Sequence, residues 1–318
     1  MPQQPPPAPG TPSAPRGPNA GPPGGTRSQW TIGELLDWTQ ARLLELGVEQ
    51  PRLDAERLLA HALGCNRLTL YTERDRLVDE SARARFRELV RRRLGREPVA
   101  YIEGRRGFHA LGLELLVDPR VLVPRPETEH LVDWMLEDLP ASTAAVVLDV
   151  GTGSGAIALA LKHARTGFEL VACDVSAEAL AVATLNGERL GLAVTWVQSD
   201  LLQQVRPPAG GFTAVAANLP YIATDALAQL APEVAQHEPR LALDGGPDGL
   251  RVIATLLRQL QAPGVLAPQA AVYLEVGFDQ AAQVAAMLAD AGFEPAIRSD
   301  YAGIERIVRG RRVAPPVA

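Results

Sequence analysis

Apolar residues recur at helical spacing early in the chain. Leu35, Leu36, Trp38, Leu43 and Leu44 mark one amphipathic helix, and Leu53, Leu58, Leu59 and Leu63 mark a second that opens at Pro51. Gly47 and Gly64 punctuate them. A third helix carries Phe86, Leu89, Val90 and Leu94 together with Arg83, Arg85, Arg87, Arg91, Arg92, Arg93 and Arg96, and the three predict a small separate bundle ending near Pro98. The period then shortens. Leu113, Leu115 and Val117 alternate within Phe108 to Val123, which predicts one or two strands, with a turn at Asp118-Pro119. Pro124 to Glu129 leads into a helix bearing Leu131, Val132, Trp134, Met135 and Leu136.

From Val146 short apolar strands alternate with helices. Strands are expected at Val146 to Leu148, Glu169 to Cys173, Ala193 to Val197, Phe212 to Ala217 and Ala271 to Val276, and helices at Ala156 to Lys162, Ala177 to Glu188 and Gln280 to Leu288. Strand–helix alternation of this kind builds a mainly parallel sheet covered on both faces, so the fold class is α/β. Glu294 to Arg298 and Gly303 to Arg309 are close enough in sequence to add an antiparallel edge pair. The organisation expected is a tail over 1–27, a helical domain over 28–98, a β-hairpin linker over 99–128 and the sheet domain over 129–318.

Composition narrows the picture. The first 27 residues are mostly Pro, Gly, Ala, Ser, Thr and Gln, which bury too little apolar surface to offset the entropy of ordering, so a disordered tail is expected. A net charge of -6 over 318 residues argues against coating nucleic acid by charge alone. The arginine helix reads equally well as a local field for an anionic partner or as a solvated face neutralised by Glu80, Glu88 and Glu97. Cys65 and Cys173 are far apart and no metal-ligand spacing surrounds them, so neither disulfides nor a metal site are expected, and a cytoplasmic setting is the simplest reading. No export signal or apolar run of membrane-spanning length is visible, and no membrane partner is expected.

The candidate chemistry sits at the carboxyl ends of the predicted strands, where doubly wound sheets bind ligands. Asp149-Val150-Gly151-Thr152-Gly153-Ser154-Gly155 follows the first of them. Its three glycines allow tight turning and close ligand approach, but their spacing lacks the two-residue gap of the dinucleotide fingerprint. Asp174 ends the next strand, where a carboxylate can accept both ribose hydroxyl protons. Asp200 follows the third, placed for an adenine amino group, with Leu201 and Leu202 to cover the ring. This set suits a nucleoside without a pyrophosphate. Asn218-Leu219-Pro220-Tyr221 follows the fourth strand. The Asn218 side-chain oxygen and the Leu219 carbonyl can accept the two N–H groups of a planar amide, Pro220 stiffens the turn, and Tyr221 offers an aromatic wall.

With these motifs on the page, the chain from Thr31 to Arg309 resembles the S-adenosylmethionine-dependent protein-(glutamine-N5) methyltransferases of bacterial peptide-chain release factors, the HemK/PrmC family. The likeness also runs through Glu97 to Ile102, Val123-Pro124-Arg125-Pro126-Glu127-Thr128-Glu129, Glu238 to Leu243 and Gly245 to Leu250. It implies a Rossmann-like class I methyltransferase sheet with an N-terminal substrate-recognition bundle. The cofactor would be S-adenosylmethionine, leaving as S-adenosylhomocysteine, held by Asp149, Gly151, Thr152, Gly153, Ser154, Gly155, Asp174, Asp200, Leu201 and Asn218. It implies methylation of the glutamine in the Gly-Gly-Gln loop of release factors 1 and 2, with Phe108, Arg125, Glu127, Asn218 and Tyr221 on the substrate side and Asn218 to Tyr221 holding the amide.

Two departures stand out: Leu219 where the family motif carries proline, and Leu201 where some relatives carry an aromatic. A monomer with no stable nucleic-acid partner is expected. The competing readings are a glutamine methyltransferase of a large-subunit ribosomal protein and an adenine-N6 nucleic-acid methyltransferase. The second must extract a base from its stack and grip the backbone. Only the arginine helix speaks for it.

Overall fold

The computed structural model describes residues 29–139 and 144–313. The tail expected over residues 1–27 lies outside them. Contacts divide the chain after Leu94, so the segment 99–128, expected as a linker, is built into the second unit.

The first unit holds α1 (Ile32–Glu45), α2 (Pro51–Leu63), α3 (Arg67–Thr72) and α4 (Glu80–Leu94), with a two-residue antiparallel pair, β1 (Trp30–Thr31) and β2 (Leu77–Val78). The helix α1 starts in a capping box: the Thr31 hydroxyl accepts from the Glu34 N–H, and the Glu34 carboxylate accepts from the Thr31 N–H. Gly64 ends α2 in the left-handed conformation at φ 64°. Ile32, Leu35, Leu43, Leu58, Leu59 and Phe86 are fully buried and form its core. Neither α3 nor the small β pair was expected, since elements this short show no period.

The arginines of α4 are largely neutralised within the unit. Arg83 and Arg87 reach Glu80, Arg91 pairs with Glu88 at 2.6 Å, Arg85 donates to the Ala62 carbonyl, and Arg93 is buried against Asp54 at 2.8 Å. Arg96 is not on this helix. It follows the helix end at φ 68° and pairs with Glu233 at 2.6 Å.

In the second unit α5 (Val99–Glu103) precedes the hairpin β3 (Arg105–Phe108) and β4 (Leu113–Leu116), and α6 (Pro126–Asp138) follows. The hairpin begins before Phe108 and ends at Leu116. Val117, Val121 and Val123, expected as strand, are instead buried as irregular chain against Tyr101, Ala179 and Val182. Then come β5 (Val146–Val150), α7 (Ala156–Ala164), β6 (Glu169–Asp174), α8 (Ala177–Leu190), β7 (Thr195–Gln198) and β8 (Phe212–Asn218). A short parallel pair, β9 (Ile222–Ala223) and β10 (Asp244–Gly246), brackets α9 (Pro232–His237). The chain continues through α10 (Arg251–Leu260), β11 (Leu266–Glu275), α11 (Ala281–Asp290), β12 (Phe293–Ser299) and β13 (Glu305–Arg312).

The seven-stranded sheet has the order β12-β13-β11-β8-β5-β6-β7. It is parallel from β11 to β7, and β13 runs antiparallel to both its neighbours. Because side chains alternate between faces, Leu148, Val150, Val215, Ala217, Val272 and Leu274 pack with α10 and α11, while Val147, Ala214, Ala216 and Tyr273 pack with α6 and α7. Both layers are closed to water, the condition a parallel sheet requires. On the second face the guanidinium groups of Arg298 and Arg309 both stack over the Trp134 ring, at 4.5 and 4.9 Å from it. The strand order reverses between β5 and β8. The glycine turn after β5 and Asn218 at the end of β8 flank that point, Asp174 ends the next strand, β6, and Asp200 follows the edge strand β7.

Candidate active site

The glycine turn is held from below. Gly151, Gly153 and Gly155 all take positive φ, at 72°, 55° and 85°. Their surroundings separate their roles. A Cβ at Gly153 would meet nothing within 4 Å, so this backbone borders open space, whereas a Cβ at Gly155 would stand 3.0 Å from Leu159 and 3.1 Å from Trp196. Gly155 therefore serves the close packing of α7 on the sheet. A Cβ at Gly151 would meet the Leu219 side chain at 3.0 Å, so the first motif closes directly over the second.

Asp149 lies beneath the turn, fully buried. Its Oδ2 accepts from the Thr152 hydroxyl at 2.6 Å and the Ala158 N–H at 3.2 Å, tying the loop to α7, and its Oδ1 has no partner. Burial pushes its carboxyl up to about 7, against the pull of those two hydrogen bonds. A carboxyl raised on folding stabilises the fold in its protonated form. That contribution is fully present below the unfolded value, near 3.8, and is lost as pH rises through about 7. Asp149→Asn, which cannot ionise, should therefore show a shallower fall in Tm between pH 5 and pH 8 than the parent. Parallel melting curves would refute the assignment.

Asp174 ends β6 beside the turn. Its Oδ2 accepts from the Gly153 N–H and its Oδ1 from the Ser176 N–H, both at 2.9 Å. Burial raises its carboxyl, opposed by the Ser176 and Gly153 N–H groups. A carboxylate offers about four lone-pair sites, so each oxygen retains room for a hydroxyl donor.

Beside the turn and Asp174 lies a cavity of about 530 Å³. Gly151, Thr152, Gly153, Ser154 and Asp174 line one side, and Asp200, Leu201, Asn218, Leu219 and Pro220 also line it. Leu201 is held at φ 50°, in the left-handed region, a strained geometry of the kind that clusters at ligand sites. Leu202 does not join it; its N–H is tied to Gln259. The fit to a nucleoside rests on this geometry: an anchored carboxylate with spare acceptor capacity, an open glycine backbone and a mainly apolar cavity of ligand size.

The structure leaves other expected residues outside. Phe108 is 2% exposed and packs in the core with Leu113, Leu131 and Trp134, so it holds the hairpin and does not face the cavity. Asp149, Gly155, Glu127 and Tyr221 are likewise absent from its wall. Burial raises the hydroxyl of Tyr221, helped by Glu275 and Glu127 and opposed by Arg306 and Arg125. Arg125 does line the cavity and pairs at 2.5 Å with Glu238, whose buried carboxyl also accepts from the Val123 N–H at 3.3 Å. This joins the segment before α6 to the segment after α9.

Asn218 is oriented by residues that the sequence reading did not assign. Its Nδ2 donates to the Thr128 hydroxyl at 3.0 Å, and that hydroxyl donates to Glu275 Oε2 at 2.6 Å. Thr128 belongs to the quoted Arg-Pro-Glu-Thr-Glu stretch and Glu275 ends β11, paired in register with Asn218. Leu241, Arg251 and Thr255 also reach the cavity unannounced. Among the described residues no cluster of His, Cys, Asp and Glu is arranged to hold a metal, and no helix is long and apolar enough to cross a membrane.

Comparison with known proteins bears on the family. Residues 34–104 match the family model of the PrmC N-terminal domain and residues 147–237 that of a methyltransferase domain. The release factor glutamine methyltransferase of Rhodopirellula baltica is 46% identical over 237 residues, covering 72% of this chain and 78% of that protein. That of Geobacter sulfurreducens is 41% identical over 285 residues, covering 89% and 97%. Among solved structures, the hMettl16 catalytic domain in complex with a 3'UTR hairpin superposes with a TM-score of 0.52 at 17% identity, over 66% of this chain and 80% of that one, a likeness of fold alone.

Proposed function

The chain belongs to the release factor glutamine methyltransferase family, and from that premise we propose which of its residues carry the reaction. It is an S-adenosylmethionine-dependent enzyme that methylates the N5 amide nitrogen of a release-factor glutamine. The cofactor, when bound, supplies an electrophilic methyl group on a sulfonium and leaves as S-adenosylhomocysteine.

On our reading Asp174 accepts the ribose hydroxyls, with the Gly153 backbone beside it, and Asp200 and Leu201 take the adenine. The amide of the substrate is a weak nucleophile because its lone pair is delocalised. Asn218 Oδ1 and the Leu219 carbonyl accept its two N–H groups, which fixes the nitrogen and draws electron density onto it. Leu219 in place of proline leaves that carbonyl intact. The proton leaves as, or after, the methyl arrives, so no strong base is required.

The observation that carries this reading is the Asn218 amide. Its nitrogen is committed to Thr128 while the residue lines the cavity, so its oxygen is the end left to receive a donor. We assign the substrates as release factors 1 and 2 at their Gly-Gly-Gln loops, the helical domain 28–98 as the substrate-recognition part, and Arg125 as a cavity-side contact. We further assign a cytoplasmic monomer with no nucleic-acid partner; an arginine helix whose charges are largely met within its own unit supports the last part of that reading.

Incubation with labelled S-adenosylmethionine and, separately, release factors, large-subunit ribosomal protein and DNA tests it. Label is expected on the Gly-Gly-Gln glutamine by mass mapping. Label appearing only on the ribosomal protein or on DNA would overturn the substrate assignment.

A further inference from the structure

An asparagine amide is almost symmetric in shape, so nothing steric decides which end faces the cavity. Hydrogen-bond polarity decides it. The Thr128 hydroxyl has one hydrogen, directed at Glu275 Oε2 at 2.6 Å, so toward Asn218 it presents only lone pairs. The neighbouring atom of Asn218 must therefore be a donor, and it is Nδ2 at 3.0 Å. Thr128 is 4% exposed and Glu275 1% exposed, and the hydrogen bond between them is buried. Asn218 and Glu275 are register partners on β8 and β11, while Thr128 reaches both from the first turn of α6.

We propose that Thr128 and Glu275 are positioning residues for methyl transfer, a polarity relay in which the buried carboxylate fixes the Thr128 hydroxyl and thereby turns Asn218 Oδ1 toward the substrate amide. The inference rests on the glutamine-methylation reading above. Protonation of Glu275 reverses the relay: the acid proton is donated to Thr128, whose own hydrogen turns to Asn218, and the amide then places its oxygen there and its nitrogen toward the acceptor. A donor facing the two N–H groups of the substrate is unproductive. Burial raises the Glu275 carboxyl to about 7, with Thr128 lowering it, Glu127 raising it and Arg306 and Arg125 lowering it. The Tyr221 hydroxyl lies in the same field. The relay is thus set in its working direction on the alkaline side of neutrality.

The test compares the parent with Thr128→Val, Thr128→Ser and Glu275→Gln, using a release factor as substrate. Thr128→Val keeps the shape and removes the relay, so kcat should fall at least about tenfold, the scale of a lost orienting contact, while S-adenosylhomocysteine affinity by calorimetry stays within about twofold. Thr128→Ser retains the hydroxyl and should recover most of the rate. The parent should lose kcat as pH falls through neutrality, and Glu275→Gln, which offers an amide oxygen to the hydroxyl and does not titrate, should lack that acid limb. Parental kcat in Thr128→Val, a Thr128→Ser enzyme as slow as Thr128→Val, or an acid limb unchanged in Glu275→Gln would each overturn the relay. If Thr128→Val does not bind S-adenosylhomocysteine, the Glu275→Gln profile decides. A parent enzyme that methylates no release factor would instead overturn the functional reading, which the parent control separates from failure of the relay.

Discussion

Asn218→Ala should lower the rate of methyl transfer by about a hundredfold, or about 2.7 kcal/mol of transition-state stabilisation, while affinity for S-adenosylmethionine stays within about tenfold. The asymmetry follows from where the residue stands. Asn218 ends β8 opposite Glu275, across the sheet's reversal point from the Asp174 clasp, and its contribution is one oriented acceptor rather than a grip on the nucleoside. The alanine variant also leaves the Thr128 lone pairs without their donor, so part of the loss comes from a loosened wall. Single-turnover rates at saturating release factor measure the effect directly. Parent-like turnover would show that the amide is held elsewhere.

Asp174→Ala should do the reverse, weakening S-adenosylhomocysteine binding by at least about a hundredfold, since hydrogen bonds to a charged group contribute roughly 1.5–3 kcal/mol each and two ribose hydroxyls are assigned to it, about 3 kcal/mol or more together. The truncation also releases the Gly153 N–H, so the open glycine of the turn loses the bond that sets its direction. Asp174→Asn, which keeps one acceptor oxygen, should fall between the two. Calorimetric affinity within about threefold of the parent would remove Asp174 from the cofactor site.

The parts of this molecule that repeat along the chain were legible in its sequence. Strands buried on both faces, such as Val146–Val150 and Phe212–Asn218, read as apolar runs, and the turn between β5 and α7 announced itself through three glycines. The helix α10 carries Ile253, Leu256, Leu257 and Leu260 at helical spacing, a pattern the sequence shows but the expected elements do not include. The short pieces from Ile222 to Gly246 carry no period to find. Phe108 shows the opposite failure: an aromatic before a turn looks the same in sequence whether it faces a ligand or a core, and here the core of α6 and the hairpin holds it.

The relay was hidden for a different reason. Thr128 and Asn218 are 90 residues apart and Thr128 and Glu275 are 147 apart, so their meeting is a property of strand order and not of any local pattern. The resemblance had pointed at the Arg-Pro-Glu-Thr-Glu stretch as a whole without saying which side chain reaches what. The geometry distributes it: Arg125 turns to Glu238, Thr128 to Asn218 and Glu275.

The interior position of β13 sets chronology against topology. A ribosome delivers β12 before β13, yet β12 touches the sheet only through β13, which bonds to β11 on its other side. Until Glu305–Arg312 emerges, β11 presents a bare edge of unpaired amides and carbonyls, the kind of surface that recruits foreign strands. A chain cut ahead of Glu305 would therefore carry every group assigned to chemistry here and still be an aggregation hazard, because the seam that seals its sheet is synthesised after all of them.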